Sequence, residues 1–420
     1  MKKLIIQGGK KLYGSINISG SKNASLPILA ATLLFDEVVI LKNIPDVKDI
    51  STMCILLQSI GKKIEFSKSR NEVKIFPNKI KKLLASYSLV KTMRAGVLVL
   101  GPLISKYGYA KVSLPGGCAI GSRPVDLHTE LLKKMGAKIN IENGYIIAKA
   151  PKKLKSTTIK FPSISVGATE NLIMASVLAS GVTIIKNIAV EPEIIDLINF
   201  LNLSGAKILF SSKRSLVITG VKKLNSITYS IIPDRIEAGT YAIASLITNG
   251  KITLNNVDIK VMKNIFVVLK KAGAKLEYNK KNSVTVSRNR IKSLSIKTSP
   301  YPGFPTDMQA QLMSLLCLAK SKSTINESVF ENRFLHVSEL KRMGANIKIK
   351  NKNANIFGVT NLTGAEVMAT DLRASVSLVL AGLAAKGKTV VNRIYHLERG
   401  YENLIGKLKA CGAQVSIEHD

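Results

Sequence analysis

Leu132-Lys133-Lys134-Met135-Gly136-Ala137-Lys138-Ile139 and Leu340-Lys341-Arg342-Met343-Gly344-Ala345-Asn346-Ile347 are nearly the same sentence written twice. A Leu closes an amphipathic stretch, a Gly follows four residues later, and an aliphatic strand-like run comes next. The pattern recurs at Leu57/Gly61, Leu201/Gly205, Leu269/Gly273 and Leu408/Gly412, with Gly spacings of 75, 69, 68, 71 and 68 residues. Glycine supplies the left-handed position that ends a helix and sends the chain into a strand. Six such units predict a repeat architecture.

Each unit carries a second helical stretch that is apolar nearly all round. These begin near Ser21-Lys22-Asn23, Lys91-Thr92-Met93-Arg94, Gly167-Ala168-Thr169, Ile236-Glu237-Ala238, Thr306-Asp307-Met308 and Thr370-Asp371-Leu372. A helix hydrophobic on every side is buried. A strand-like run follows most of them, at 38–41, 182–185, 252–254 and 390–391. The expected fold class is α/β: two similar domains, each of three units of about 70 residues, with buried helices inside and sheets plus amphipathic helices around them. Polar residues at the starts of the buried helices, Thr169 and Thr240 among them, are either caps or the lining of an anion site.

The 420 residues suit two domains, and 46% hydrophobic content can fill two cores. No apolar run reaches bilayer length. The opening Met1-Lys2-Lys3-Leu4-Ile5-Ile6-Gln7 lacks the apolar core of a signal peptide, so a cytoplasmic location is expected. The formal net charge of +35 raises a nucleic-acid reading, but Lys is scattered along the chain, Trp is absent and aromatics are 5%. Lysine (50 residues) outnumbers arginine (12) so strongly that a retained Arg marks a place needing its planar, two-point fork. Arg94, Arg123, Arg235, Arg333, Arg373 and Arg399 all sit in or beside Gly-, Asp- or Pro-bearing motifs. Cys54, Cys317 and Cys411 fall in apolar helical stretches and read as inert core thiols; four Cys with no CxxC spacing predict no metal site. Cys118 differs. Pro115-Gly116-Gly117-Cys118-Ala119-Ile120-Gly121-Ser122-Arg123-Pro124 reads as a loop, where a thiol near Arg and free N–H groups has a lowered pKa and can act as acid, base or nucleophile.

These motifs carry a resemblance. Residues 114–128, Ser21-Lys22-Asn23, Lys91-Thr92-Met93-Arg94, Pro305-Thr306-Asp307-Met308-Gln309-Ala310-Gln311, Glu331-Asn332-Arg333-Phe334 and Ala369-Thr370-Asp371-Leu372-Arg373-Ala374 are similar, in order, to those of the UDP-N-acetylglucosamine 1-carboxyvinyltransferase family, from Gly8 to about Gly412. The resemblance implies that each domain is an inside-out α/β barrel. It divides the chain into 1–21 plus 233–420 and 22–232, with the active site in a cleft between them. Cys118 would be the acid that protonates the methylene carbon of phosphoenolpyruvate, and could form a covalent adduct with it. Lys22, Arg123 and Arg399 would hold its phosphate and carboxylate, and Asn23 would touch both substrates. Asp307 would take or orient the proton of the sugar 3-hydroxyl. Arg94 would contact the nucleotide sugar. Arg123, Pro124, Val125, Asp126 and Leu127 would form the uridine pocket, and Ser163, Ile164, Ser165 and Val166 would embrace the diphosphate. Val329 would touch the sugar, and Asp371 and Arg373 would support the intermediate. In some relatives a Lys stands where Ser163 stands here, so that contact would lean on backbone N–H groups and Arg.

The implied partners are phosphoenolpyruvate and UDP-N-acetylglucosamine, with no cofactor, no metal, no membrane and no specific nucleic acid; oligomeric state is left open, a monomer favoured. A sister reading is transfer to shikimate 3-phosphate, which needs neither the Cys118 loop nor the Arg123–Leu127 run. A reading of another class is a basic nucleic-acid-binding protein.

Overall fold

The computed structural model describes residues 2–116, 125–150, 153–279 and 282–419. They form two compact units: residues 2–19 with 233–419, and residues 20–116 with 125–232.

The six repeat glycines do what the sequence asks of them. Gly61, Gly136, Gly205, Gly273, Gly344 and Gly412 all have positive φ, from 88° to 137°, a region closed to most side chains. Each ends a helix and starts the outer strand of a four-stranded sheet. Among the described residues there are six sheets, three per unit. In each, a short strand lies parallel to the strand after a buried helix, and two further strands extend the sheet antiparallel; in five sheets these two form a hairpin, and in the sixth they are Lys2–Gln7 and Gln414–His419. One example is Thr158–Lys160 beside Val182–Lys186, then Ser215–Thr219 and finally the edge strand Lys207–Ser212. Lys2–Gln7 pairs with both Lys388–Asn392 and Gln414–His419, tying the N-terminal strand to the last repeat.

A second repeated device fixes the corners. Asn43, Asn187 and Asn256 follow equivalent strands with φ of 56°, 60° and 57°. Their side-chain amides donate to Ile231 O, Phe161 O and Ile18 O at 2.8, 2.9 and 2.8 Å. Asn tolerates this conformation because its short amide bonds locally.

The cores are the apolar helices. In the first unit Arg235–Ile247, Gln309–Leu316 and Leu372–Ala384 pack on one another; every residue of Arg235–Ile247 is buried. In the second unit the corresponding helices are Lys22–Ala31, Leu100–Tyr107 and Val166–Ser176. Two of the six start differently from the sequence expectation. The stretch from Arg94 opens as a 3₁₀ turn, Arg94–Val99, before the α-helix at Leu100. The stretch from Thr306 likewise begins with 3₁₀ residues Thr306–Met308. Pro102 then sits in a first turn, where no N–H is required. No helix among the described residues is long and apolar enough to cross a membrane.

Candidate active site

Helix starts position most of the expected residues. Four of the six buried helices are capped by side chains at their entrances: Ser21 accepts from Ala24 N, Ser165 from Ala168 N, Asp234 from Ile236 N and Glu237 N, and Asp371 from Arg373 N and Ala374 N. Such caps satisfy N–H groups that the helix cannot. Thr169 and Thr240 are fully internal instead. Thr169 Oγ1 donates to Ser165 O at 2.7 Å, and Thr240 Oγ1 to Ile236 O at 2.7 Å; both are structural.

In the unit of residues 2–19 and 233–419, the side chains converge on Asp307. Arg333 Nη2 lies 2.7 Å from Asp307 Oδ1 and Arg373 Nη2 lies 2.8 Å from Oδ2. Both guanidinium groups are buried. Burial alone would raise the Asp307 pKa, but Arg373 and Arg333 override it and hold the carboxyl well below its ordinary range. Conversely, burial would ease the proton from Arg373, and Asp307 reverses that and raises its pKa. A second layer fixes the clamp. Arg373 Nη1 donates to Tyr401 Oη at 3.2 Å, and Arg333 Nη1 to Thr306 Oγ1 at 3.0 Å. The Thr306 hydroxyl donates to Glu327 Oε2 at 2.8 Å. Glu327 Oε1 accepts from Val329 N at 2.8 Å and so sets the backbone at Val329, whose side chain is exposed. Asp371 spends Oδ1 on its helix cap and lies close enough to His336 and His396 to act on both. Arg399, half-buried, ends the turn Ile394–Arg399 and depresses the His396 pKa together with burial.

In the other unit, Lys22 opens its helix, is buried, and puts Nζ 3.2 Å from Asp49 Oδ2. Asn23 beside it is half-buried. Arg94 is half-buried at the start of its 3₁₀ turn and acts on His128. Burial first, then Arg94, lowers the His128 pKa to about 4. His128 Nδ1 lies 2.8 Å from Asn171 Nδ2, while Asn171 Oδ1 accepts from Gly101 N at 2.6 Å. Gly101 has to be glycine, since a Cβ there would run into Asn171 O. Val125 is buried ahead of the helix Asp126–Lys134, Leu127 is half-buried and Asp126 is exposed. Ser163 is exposed, Ile164 and Ser165 are half-buried and Val166 is exposed. Cys118, Arg123 and Pro124 lie outside the described residues.

The other three thiols are buried, as the sequence indicated. Burial pushes Cys54 and Cys317 up to about 12 and raises Cys411. Sequence reasoning did not find Asp49, Tyr401 or Glu327. Tyr401, two residues past Arg399, was within reach; the other two carry no local signal.

The fold matches solved enolpyruvyl transferases. The crystal structure of the enolpyruvyl transferase NikO from Streptomyces tendae superposes with a TM-score of 0.89 at 21% identity, covering 99% of this chain and 98% of that one. EPSP synthase from Acinetobacter baumannii gives 0.78 at 17% identity over all of both chains. At those identities the likeness is one of fold. The sequence family described as EPSP synthase (3-phosphoshikimate 1-carboxyvinyltransferase) matches residues 6–408, and the chain belongs to that family. Within it, the chain is 56% identical over 415 residues to the UDP-N-acetylglucosamine 1-carboxyvinyltransferase of Pelagibacter ubique (strain HTCC1062), covering 99% of each. It is 52% identical over 423 residues to that of Endomicrobium trichonymphae, covering all of both. Its place is therefore in the UDP-N-acetylglucosamine 1-carboxyvinyltransferase branch.

Proposed function

We propose that this chain transfers the enolpyruvyl group of phosphoenolpyruvate to the 3-hydroxyl of UDP-N-acetylglucosamine, releasing phosphate and supplying the first committed intermediate of peptidoglycan. The observation that carries the reading is end-to-end identity of more than half with a carboxyvinyltransferase of that specificity. The Asp307 clamp is consistent with it.

The chemistry assigns work to each group. Cys118 delivers a proton to the methylene carbon, leaving an oxocarbenium-like centre at the adjacent carbon. The sugar oxygen bonds to that centre and gives up its proton, forming a tetrahedral ketal. Loss of a methyl proton and of phosphate regenerates the alkene on the sugar. Lys22, Arg123 and Arg399 hold the phosphate and carboxylate as charge shifts onto the departing group, where fixed cations act most strongly. Asn23 contacts both substrates, and Asp371 and Arg373 support the ketal. Arg94, Val125, Asp126 and Leu127, with Arg123 and Pro124, hold the nucleotide sugar; Ser163, Ile164, Ser165 and Val166 hold the diphosphate.

Asp307 is ionised and weakly basic between two Arg, so it accepts the hydroxyl hydrogen bond and aims the oxygen. The proton passes to the Asp307 carboxylate late, as the carbon–oxygen bond forms and the hydroxyl becomes acidic. None of these steps calls on a cofactor. On this reading the protein works in the cytoplasm.

Phosphate release from phosphoenolpyruvate, followed with each acceptor in turn, tests the proposal. Release with UDP-N-acetylglucosamine and none with shikimate 3-phosphate is the expected result. Release with shikimate 3-phosphate alone overturns it.

A further inference from the structure

The six repeats supply an internal control for surface residues. Four residues after each repeat glycine, the edge strand points a side chain away from the helices. Those residues are Glu65, Asn140, Leu209, Glu277, Lys348 and Ser416, each paired across to the central strand of its sheet. Two residues before each glycine, the amphipathic helix ends in Ser59, Lys134, Leu203, Lys271, Arg342 and Ala410. One repeat breaks the polar pattern at both places. Leu203 is 70% exposed and Leu209 71%, more than any other large apolar side chain among the described residues.

The two belong to one corner. Asn202, next to Leu203, donates through Nδ2 to Ile208 O and accepts through Oδ1 from Ile208 N, both at 2.9 Å. The helix end is thereby stitched to the edge strand beside Leu209. The stitch also occupies the backbone N–H and C=O of Ile208, so an added β-strand loses that pair of bonds.

The outer face of this sheet continues the apolar surface. Thr158, Ile184, Val217 and Leu209 lie in register across all four strands. Ile184 and Val217 are half-buried between the exposed Thr158 and Leu209. The adjacent row carries Lys160 and Lys186 side by side. Three strand spacings make the row about 14 Å long, the rise of about ten helical residues.

We infer that this sheet face docks an acidic amphipathic helix of a partner protein, with apolar residues at i, i+3, i+7 and i+10 along that row and carboxylates against Lys160 and Lys186. An apolar floor bordered by lysine on a chain of net charge +35 selects an acidic partner. A second copy would bring lysine against lysine.

The test uses the full chain and its L203K/L209E variant, which carries the residues that the fourth repeat has at Lys271 and Glu277. A fluorescein-labelled helical peptide with Leu at i, i+3, i+7 and i+10 and Glu on the flanks is titrated by anisotropy. Saturable binding to the parent chain, at least tenfold weaker to the variant and lost when the peptide's Glu are changed to Lys, supports the inference, provided phosphate release and melting temperature are unchanged in the variant. The inference is overturned if the peptide does not bind, or binds both chains equally. It is also overturned if the two leucines instead govern co-sedimentation with phosphatidylglycerol vesicles or self-association in the ultracentrifuge.

Discussion

Arg373 Nη2 and Asp307 Oδ2 meet at 2.8 Å although 66 residues separate them. The contact joins the start of one buried helix to the start of another, and Arg333 completes it on the opposite carboxylate oxygen. An acidic group expected to handle a proton is therefore held as a fixed anion.

Asp307→Asn keeps the shape and removes the charge. Turnover should fall by roughly 10²- to 10⁴-fold, and stability by about 3–5 kcal/mol, because two buried cations lose their partner. The folded pKa of Asp307 is depressed, so its stabilisation is complete above the unfolded value of about 4 and disappears only as pH falls through the much lower folded value. The acid limb of the kcat/KM profile then belongs to other groups. Steady-state kinetics and calorimetry check this; a loss under tenfold contradicts the role.

Tyr401 holds the far side of the clamp. The Thr240 proton goes to Ile236 O, so Tyr401 donates to Thr240 Oγ1 at 3.1 Å and accepts from Arg373. Tyr401→Phe removes that acceptor. A hydrogen bond to a charged group contributes about 1.5–3 kcal/mol, so kcat should fall roughly tenfold with little change in KM. A change confined to KM would place Tyr401 in ground-state binding instead.

His128 makes the stability of its unit pH-dependent. Asn171 Nδ2 donates to its Nδ1, which leaves the proton on Nε2 and the ring neutral. The unfolded chain binds a proton near pH 6.5, whereas the folded group does so only near its lowered value of about 4. Between those values the unfolded state holds more protons, so stability falls as pH drops through that window. Urea unfolding should show a loss of about 2 kcal/mol from this group between pH 7 and 5, absent in His128→Gln. An unchanged slope in the variant would assign the dependence elsewhere.

Thiol chemistry should be selective. Cys54, Cys317 and Cys411 are buried with raised pKa values, and an inaccessible thiol is a poor nucleophile. An epoxide mimic of phosphoenolpyruvate should label Cys118 alone, read by peptide mass spectrometry, and Cys118→Ser should nearly abolish turnover. Labelling at any of the other three contradicts the assignment.

Much of the fold was legible because glycine and helical periodicity are local requirements. All six repeat glycines sit where a left-handed residue ends a helix, and the buried helices betray themselves by lacking a polar face. The clamp was legible only in part. Scarce arginine flagged Arg333 and Arg373, but nothing local says that both close on Asp307, because that pairing depends on how two helix starts and the turn carrying Arg333 pack. The same limit hid Asp49, whose link to Lys22 joins two helices. Thr169 and Thr240 stayed open between two readings in the sequence. A hydroxyl near a helix entrance suits a ligand site or a bond to the preceding turn equally well, and here the carbonyls of Ser165 and Ile236 claim them.

The structure of the reaction product tests the central claim most directly. The purified chain is incubated with phosphoenolpyruvate and UDP-N-acetylglucosamine, and the sugar nucleotide is examined by proton NMR and mass spectrometry. A carboxyvinyl ether on the 3-oxygen, formed with one equivalent of phosphate, is the predicted result. Recovery of unmodified sugar nucleotide from a folded preparation, or a carboxyvinyl group on any other oxygen, would contradict the account.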